Sequence, residues 1–137
     1  IYGGIDTQKK IIDIIYDSLD AETPLALTKG GQMLDFIHVD DVAGFFLLAV
    51  ENHEKVPGGA SFQLGTGVGH TLRDISEIIE KISGKQANIA WGAKEYRPRD
   101  VMYAVANASL QYRLFGWRPE ISLEEGIASY LEKKTNR

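Results

Sequence analysis

"FQLGTGVGHTL", residues 62–72, is the stretch on which the reading of this chain turns. A short apolar run ends in glycines, and a helix-like pattern follows. Glycines between a strand and a helix are one way proteins hold the pyrophosphate of a dinucleotide, because the backbone can approach closely and the helix N-terminus offers free N–H groups. That fingerprint needs G-x-G-x-x-G, a helix directly after it, and a second strand ending in an acidic residue for the ribose. Here Gly65, Gly67 and Gly69 are spaced G-x-G-x-G, and the next apolar run, "NIAWG" at 88–92, carries no acid at its end. Both requirements fail. The stretch is expected to be a turn in which glycines supply positive φ and Thr71 caps the next helix. No cofactor-binding residue is expected in the chain.

Length and composition set the outer limits. A chain of 137 residues fits a single domain, taken as 1–137, with room for a hydrophobic core. Its 44% hydrophobic and 25% charged residues are ordinary for a globular protein. The net charge of -4, without a basic block, argues against a nucleic-acid partner. The longest apolar run, "VAGFFLLAV" at 42–50, is too short to span a membrane. There is no signal-peptide pattern, and a cytoplasmic location is expected. Cysteine is absent, which excludes disulfides and thiolate metal sites. His38, His53 and His70 lie far apart without a partner at metal-ligand spacing, so no metal is expected. The chain opens "IYGG" without methionine, as if taken from something longer.

Helices and short strands alternate along the chain. Ile12, Ile15, Tyr16 and Leu19 share one face of a helix near 8–20. Residues 25–28 and 33–39 flank "KGGQ" and read as a hairpin with a glycine turn. "DVAGFFLLAVE" at 41–51 is apolar nearly all round, which predicts a helix buried on most sides and capped by Asp40 or Asp41. Phe62–Leu64 reads as a strand. The helix after Thr71 has a capping box with Asp74 and stops at Gly84. "NIAW" is a strand, "EYRPRD" a loop, and a helix over about 108–115 ends at Gly116. The last helix opens on a second capping box, Ser122 with Glu125.

Two further patterns suggest chemistry and fail. Tyr130 and Lys134 satisfy Y-x-x-x-K, the spacing that pairs a tyrosine acid/base with a lysine. Tyr130, however, shares a helical face with Leu123, Ile127 and Leu131, so packing explains it, and no serine upstream completes a triad. His38 alternates with Phe36 and reads as a satisfied structural histidine. No catalytic residue is expected in this chain.

The ordered segments "IYGG", "PLAL", "GGQMLDFIHVDDVAGFFLLAVE", "FQLGTGVGHTLRDISEIIEKISG", "YRPRDV" and "FGWRPEISLEEGI" together resemble the carboxy-terminal part of extended short-chain dehydrogenases/reductases, the NAD-dependent epimerase/dehydratase family acting on nucleotide sugars. The resemblance covers essentially the whole chain. It implies a mixed, helix-rich α/β fold with short strands, the C-terminal substrate-binding portion of a Rossmann-type enzyme. In that family the amino-terminal half carries G-x-x-G-x-x-G, the NAD or NADP cofactor and the catalytic Y-x-x-x-K. This chain begins near the family's V-Y-G-P segment, so the resemblance implies a partner in an absent N-terminal Rossmann half, and it leaves room for a homodimer of the parent.

What the resemblance implies for binding can be placed residue by residue. Relatives similar to UDP-sugar epimerases use R-x-x-D in a late loop, the arginine on the diphosphate and the aspartate on ribose hydroxyls. Here that motif is Arg97-Pro98-Arg99-Asp100. A guanidinium offers paired donors that match phosphate oxygens. Where many relatives write R-D-F or R-D-Y, this chain has Leu34-Asp35-Phe36, so one expected arginine is missing: either Arg99 or a residue of the absent half takes over its charge, or the substrate differs from the usual one. Leu27 and Thr28 would lie against the base. The implied function is nucleotide-sugar binding for an epimerase, dehydratase or ketoreductase whose hydride-transfer chemistry lies in the absent half, the fragment being inactive alone. A stand-alone, non-catalytic binding or assembly module is the alternative; what precedes Ile1 discriminates the two.

Overall fold

A computed structural model describes residues 1–4 and 8–136. The described residues form two compact units that no single cut separates: residues 1–4, 35–69 and 105–136 make one, and 8–34 with 70–104 the other. The mixed α/β class, helix-rich with short strands, is observed.

In the second unit, α1 (Ile11–Ser18) packs against α3 (Leu72–Ser83) through Ile12, Ile15, Leu72, Ile75 and Ile79, all buried. The i, i+3, i+4 spacing of the apolar residues in α3 makes this face continuous. Thr71 caps α3 in a complete capping box: Asp74 N–H donates to Thr71 Oγ1 at 3.1 Å, and Thr71 N–H to Asp74 Oδ2 at 2.7 Å. Gly84 ends the helix at φ 68°, a left-handed conformation that costs glycine nothing. Beside the helices, β1 (Leu25–Leu27) pairs in parallel with β4 (Ile89–Trp91), Leu27 opposite Trp91. A second small sheet has the order β3 (Gly69–His70), β2 (Met33–Asp35), β5 (Tyr103–Ala104). Leu34 of β2 sits opposite Ala104 in parallel register.

The expected hairpin across "KGGQ" is therefore corrected. β1 and β2 belong to different sheets, and each takes a parallel partner from late in the chain. Gly30 (φ 74°) makes the crossing, with its Cα so close to the Trp91 ring that a Cβ would lie 2.5 Å from Cζ3.

The first unit contains α2 (Val39–Glu51), α4 (Ser109–Phe115) and α5 (Leu123–Thr135). Its core gathers Tyr2, Ile37, Val42, Phe45, Leu123, Ile127 and Leu131. Phe45 meets Phe62, Phe115 and Trp117 edge-on at centroid distances of 5.2, 6.0 and 5.0 Å. α5 opens on the expected Ser122–Glu125 box, and Gly116 ends α4 at φ 65°. Tyr130 is half-buried beside the buried Ile127 and Leu131.

Two expectations for α2 are corrected. Its cap is His38, whose Nδ1 accepts the Asp40 N–H at 3.2 Å; Asp41 instead accepts the N–H groups of Glu120 and Ile121 at 2.9 and 3.2 Å. The helix is also not buried all round. Asp41, Val42 and Phe45 are buried, while Phe46, Leu47 and Val50 are exposed. Residues 62–64 form no strand; they are irregular and lead into the glycine turn.

Candidate nucleotide-binding site

The glycine turn, in the first unit, is built around an anion of its own. The Asp35 carboxylate accepts the Thr66 N–H and hydroxyl through Oδ1 at 2.8 and 2.7 Å, and the N–H groups of Gly67 and Ala106 through Oδ2 at 2.8 and 3.1 Å. Gly67 has φ 77°, as the sequence predicted for a turn glycine. Gly65 is needed for a different reason: a Cβ there would fall 2.5 Å from Asp35 Oδ2. The donors that a pyrophosphate would use are thus engaged. The residues present do not fit the dinucleotide at this turn.

The other candidate residues lie in the second unit, at the carboxyl ends of the parallel strands β1 and β4, the edge where open α/β sheets bind ligands. After β1 come Thr28, Lys29, Gly30 and Gly31; after β4 comes the loop from Gly92 to Asp100. Backbone bonds join the two ends: Lys94 N–H to Leu27 C=O at 3.0 Å and Gly92 N–H to Thr28 C=O at 3.1 Å. Thr28 Oγ1 lies 3.4 Å from the Gly30 nitrogen. The Gly31 N–H donates to Tyr96 Oη at 3.0 Å, which ties the loops together one residue before Arg97.

The R-x-x-D motif forms a reciprocal turn. Arg97 N–H donates to Asp100 Oδ2 at 2.8 Å, and Asp100 N–H to Arg97 C=O at 3.0 Å. Pro98 fixes φ between them. The Asp100 carboxylate therefore braces the loop through one oxygen, and the guanidinium groups of Arg97 and Arg99 stand exposed. Leu27 and Thr28 are half-buried at the end of β1, bonded to the segment that leads into this turn. No cation occupies the β2 position of Leu34.

Two other members carry no local sequence signal. Arg73, in the first turn of α3, donates from Nε to the Lys29 carbonyl at 2.8 Å and lies over the Trp91 ring, 4.8 Å from its centroid. Tyr96 accepts the Gly31 N–H from within the loop after β4. Their partners are 44 and 65 residues away, beyond any local pattern. Among the described residues no group of three or more His, Asp or Glu side chains could hold a metal ion, and no helix is long and apolar enough to cross a membrane.

Comparison with known proteins places this chain in a family. The model of the NAD dependent epimerase/dehydratase family matches residues 2–65. The chain is 33% identical over 136 residues to the CDP-abequose synthase of Salmonella typhimurium, a match that takes in 97% of this chain and 45% of that protein. It is 32% identical over 102 residues to a UDP-glucose 4-epimerase of Bacillus subtilis, covering 74% of the chain and 30% of the relative. Among solved structures, the UDP-glucose 4-epimerase of Thermotoga maritima with UDP-glucose superposes with a TM-score of 0.77 at 26% identity, over 93% of this chain and 40% of that one. The Bifidobacterium longum enzyme in complex with NAD+ and UDP shares the fold, with a TM-score of 0.76 at 22% identity over 92% of this chain and 39% of that one. The chain spans less than half the length of these relatives. From its matched segment, its relatives over nearly its whole length and its fold, the chain belongs to the NAD-dependent epimerase/dehydratase family of extended short-chain dehydrogenases/reductases.

Proposed function

We propose that this chain is the nucleotide-sugar-binding part of an NAD(P)-dependent epimerase, dehydratase or ketoreductase, and that cofactor binding and chemistry belong to the remainder of a longer parent protein. One observation carries this reading. The Arg97–Asp100 turn presents two exposed guanidinium groups at the carboxyl ends of parallel strands, on a loop already fixed by its own hydrogen bonds. Such a loop loses little further freedom on gripping a diphosphate, so more of the contact energy appears as affinity. Arg97 holds the diphosphate, with Arg99 beside it. The Asp100 oxygen not used by the turn is the ribose acceptor. Leu27 and Thr28 flank the base. The names of the relatives span CDP-, UDP- and GDP-linked compounds, so the base stays unassigned.

Calorimetric titration of the chain at low salt tests the reading. CDP, UDP or GDP should bind, and the matching free nucleoside should bind at least tenfold more weakly (on the order of one charge-assisted contact). Equal affinity for diphosphate and nucleoside, or no binding by any of them, contradicts it.

A further inference from the structure

We propose that Arg73 is a second phosphate-contacting cation of this site and that Trp91 is the surface that holds it ready; the inference rests on the nucleotide-binding reading above. Nothing in the local sequence marks Arg73, which looks like a solvated residue in the first turn of a helix. The structure treats it otherwise. Its Nε is bonded to the Lys29 carbonyl and its guanidinium lies on the Trp91 ring. Among the described residues it makes no hydrogen bond through the two Nη groups. An exposed arginine normally samples many rotamers; one fixed at both Nε and its face has lost that freedom before any ligand arrives.

Its position relative to the Arg97 loop follows from two adjacent glycines. A Cβ on Gly30 would lie 2.5 Å from the Trp91 ring and 3.2 Å from Arg73 Cγ. The next residue, Gly31, donates its N–H to Tyr96, the neighbour of Arg97. Arg73 and the Arg97 turn therefore border the same Gly-Gly backbone. Trp91 admits no larger residue at Gly30, so this backbone lies close against both the Trp91 ring and the Arg73 side chain.

The charge balance points the same way. The chain carries a net charge of -4, yet Lys29, Arg73, Lys94, Arg97 and Arg99 form no ion pair among the described residues. Glu95 and Asp100 are the carboxylates on these loops, and Asp100 already takes the Arg97 N–H. Unneutralised cations gathered around two strand ends in an acidic chain suit a ligand with more than one negative charge. A diphosphate has two phosphoryl groups to grip, and two forks match it better than one.

The test compares wild-type chain with Arg73→Gln, Arg73→Lys and Arg97→Ala, titrating UDP and CDP at low salt and recording melting temperatures. Arg73→Gln keeps side-chain bulk over Trp91 but removes the charge; it should weaken diphosphate binding by about tenfold. Arg73→Lys should fall between it and wild type, a partial rescue that a packing role would not give. The Arg73→Gln loss should shrink in 1 M salt, where an exposed charge is screened. If Arg97→Ala weakens binding while both Arg73 variants bind as wild type does, Arg73 has no contact and the nucleotide-binding reading stands without it. If Arg97→Ala also binds normally, that reading fails as well. Should Arg73→Gln not fold, Arg73→Lys alone decides: unchanged affinity overturns the proposal, and a several-fold loss supports it.

Discussion

The Oδ2 atom of Asp35 lies 2.8 Å from the Gly67 nitrogen, so the loop that most resembles a phosphate cradle already encloses a carboxylate from its own chain. Three backbone N–H groups and one hydroxyl converge on that side chain, and the charge it supplies is the one a bound anion would otherwise supply. The chain alone is accordingly expected to bind neither NAD nor NADP. Calorimetric titration checks this, and micromolar binding of either cofactor would overturn the account of residues 65–69.

Removing that carboxylate should be costly. Asp35→Ala leaves the Thr66, Gly67 and Ala106 donors without their partner and should destabilise the first unit by about 3 kcal/mol. Asp35→Asn keeps shape but not charge and should cost about half as much. Urea denaturation of both variants gives the comparison. Equal, small effects would mean the turn is held by its glycines alone.

Gly65→Ala should also be damaging, although its φ is not positive. The added methyl would collide with Asp35 and Ala106, an overpacking cost of about 2 kcal/mol. Gly84→Ala meets no neighbouring atom and should cost only the left-handed strain, about 1 kcal/mol. Thermal melts that rank the two in the opposite order would contradict the packing at the turn.

Tyr2 links stability to alkaline pH. Burial, then the charges of Asp41 and Glu124, push its pKa up to about 12 from an ordinary 10.0. The folded state thus holds this proton more tightly than the unfolded state. The associated stability is complete below pH 10 and is lost as pH rises through 12. Denaturation at pH 9 to 12 should show this decline in wild type, and Tyr2→Phe should flatten it. An identical slope in both proteins would show that Tyr2 titrates normally.

What could be read in the sequence was local. The Thr71–Asp74 and Ser122–Glu125 boxes and the Gly84 and Gly116 stops each join residues within a few positions, and all four are observed. The errors were long-range. The pattern on either side of "KGGQ" fits a hairpin, but β1 and β2 gain more from parallel partners 64 and 70 residues away, Ile89 and Tyr103 opposite Leu25 and Met33. Asp41 was a sound cap candidate by position, yet the N–H groups of Glu120 and Ile121 claim it, and His38 takes the cap instead. The same blindness hid the Arg73–Trp91 pair. The R-x-x-D motif was legible only through the family resemblance; in the structure Arg97 and Asp100 close a turn on each other.

The most direct test of the account is nucleoside diphosphate binding to Arg97→Ala. A charge-assisted contact to phosphate is worth about 1.5–3 kcal/mol, so CDP, UDP or GDP affinity at low salt should fall by roughly one to two orders of magnitude. The melting temperature should stay unchanged, because the Arg97 guanidinium is exposed and the turn is braced through its backbone. Arg99→Ala should matter less, unless Arg99 has taken the place of the arginine missing at Leu34, in which case its loss should rival that of Arg97→Ala. Normal diphosphate binding by Arg97→Ala would contradict the claim that this turn is the nucleotide site.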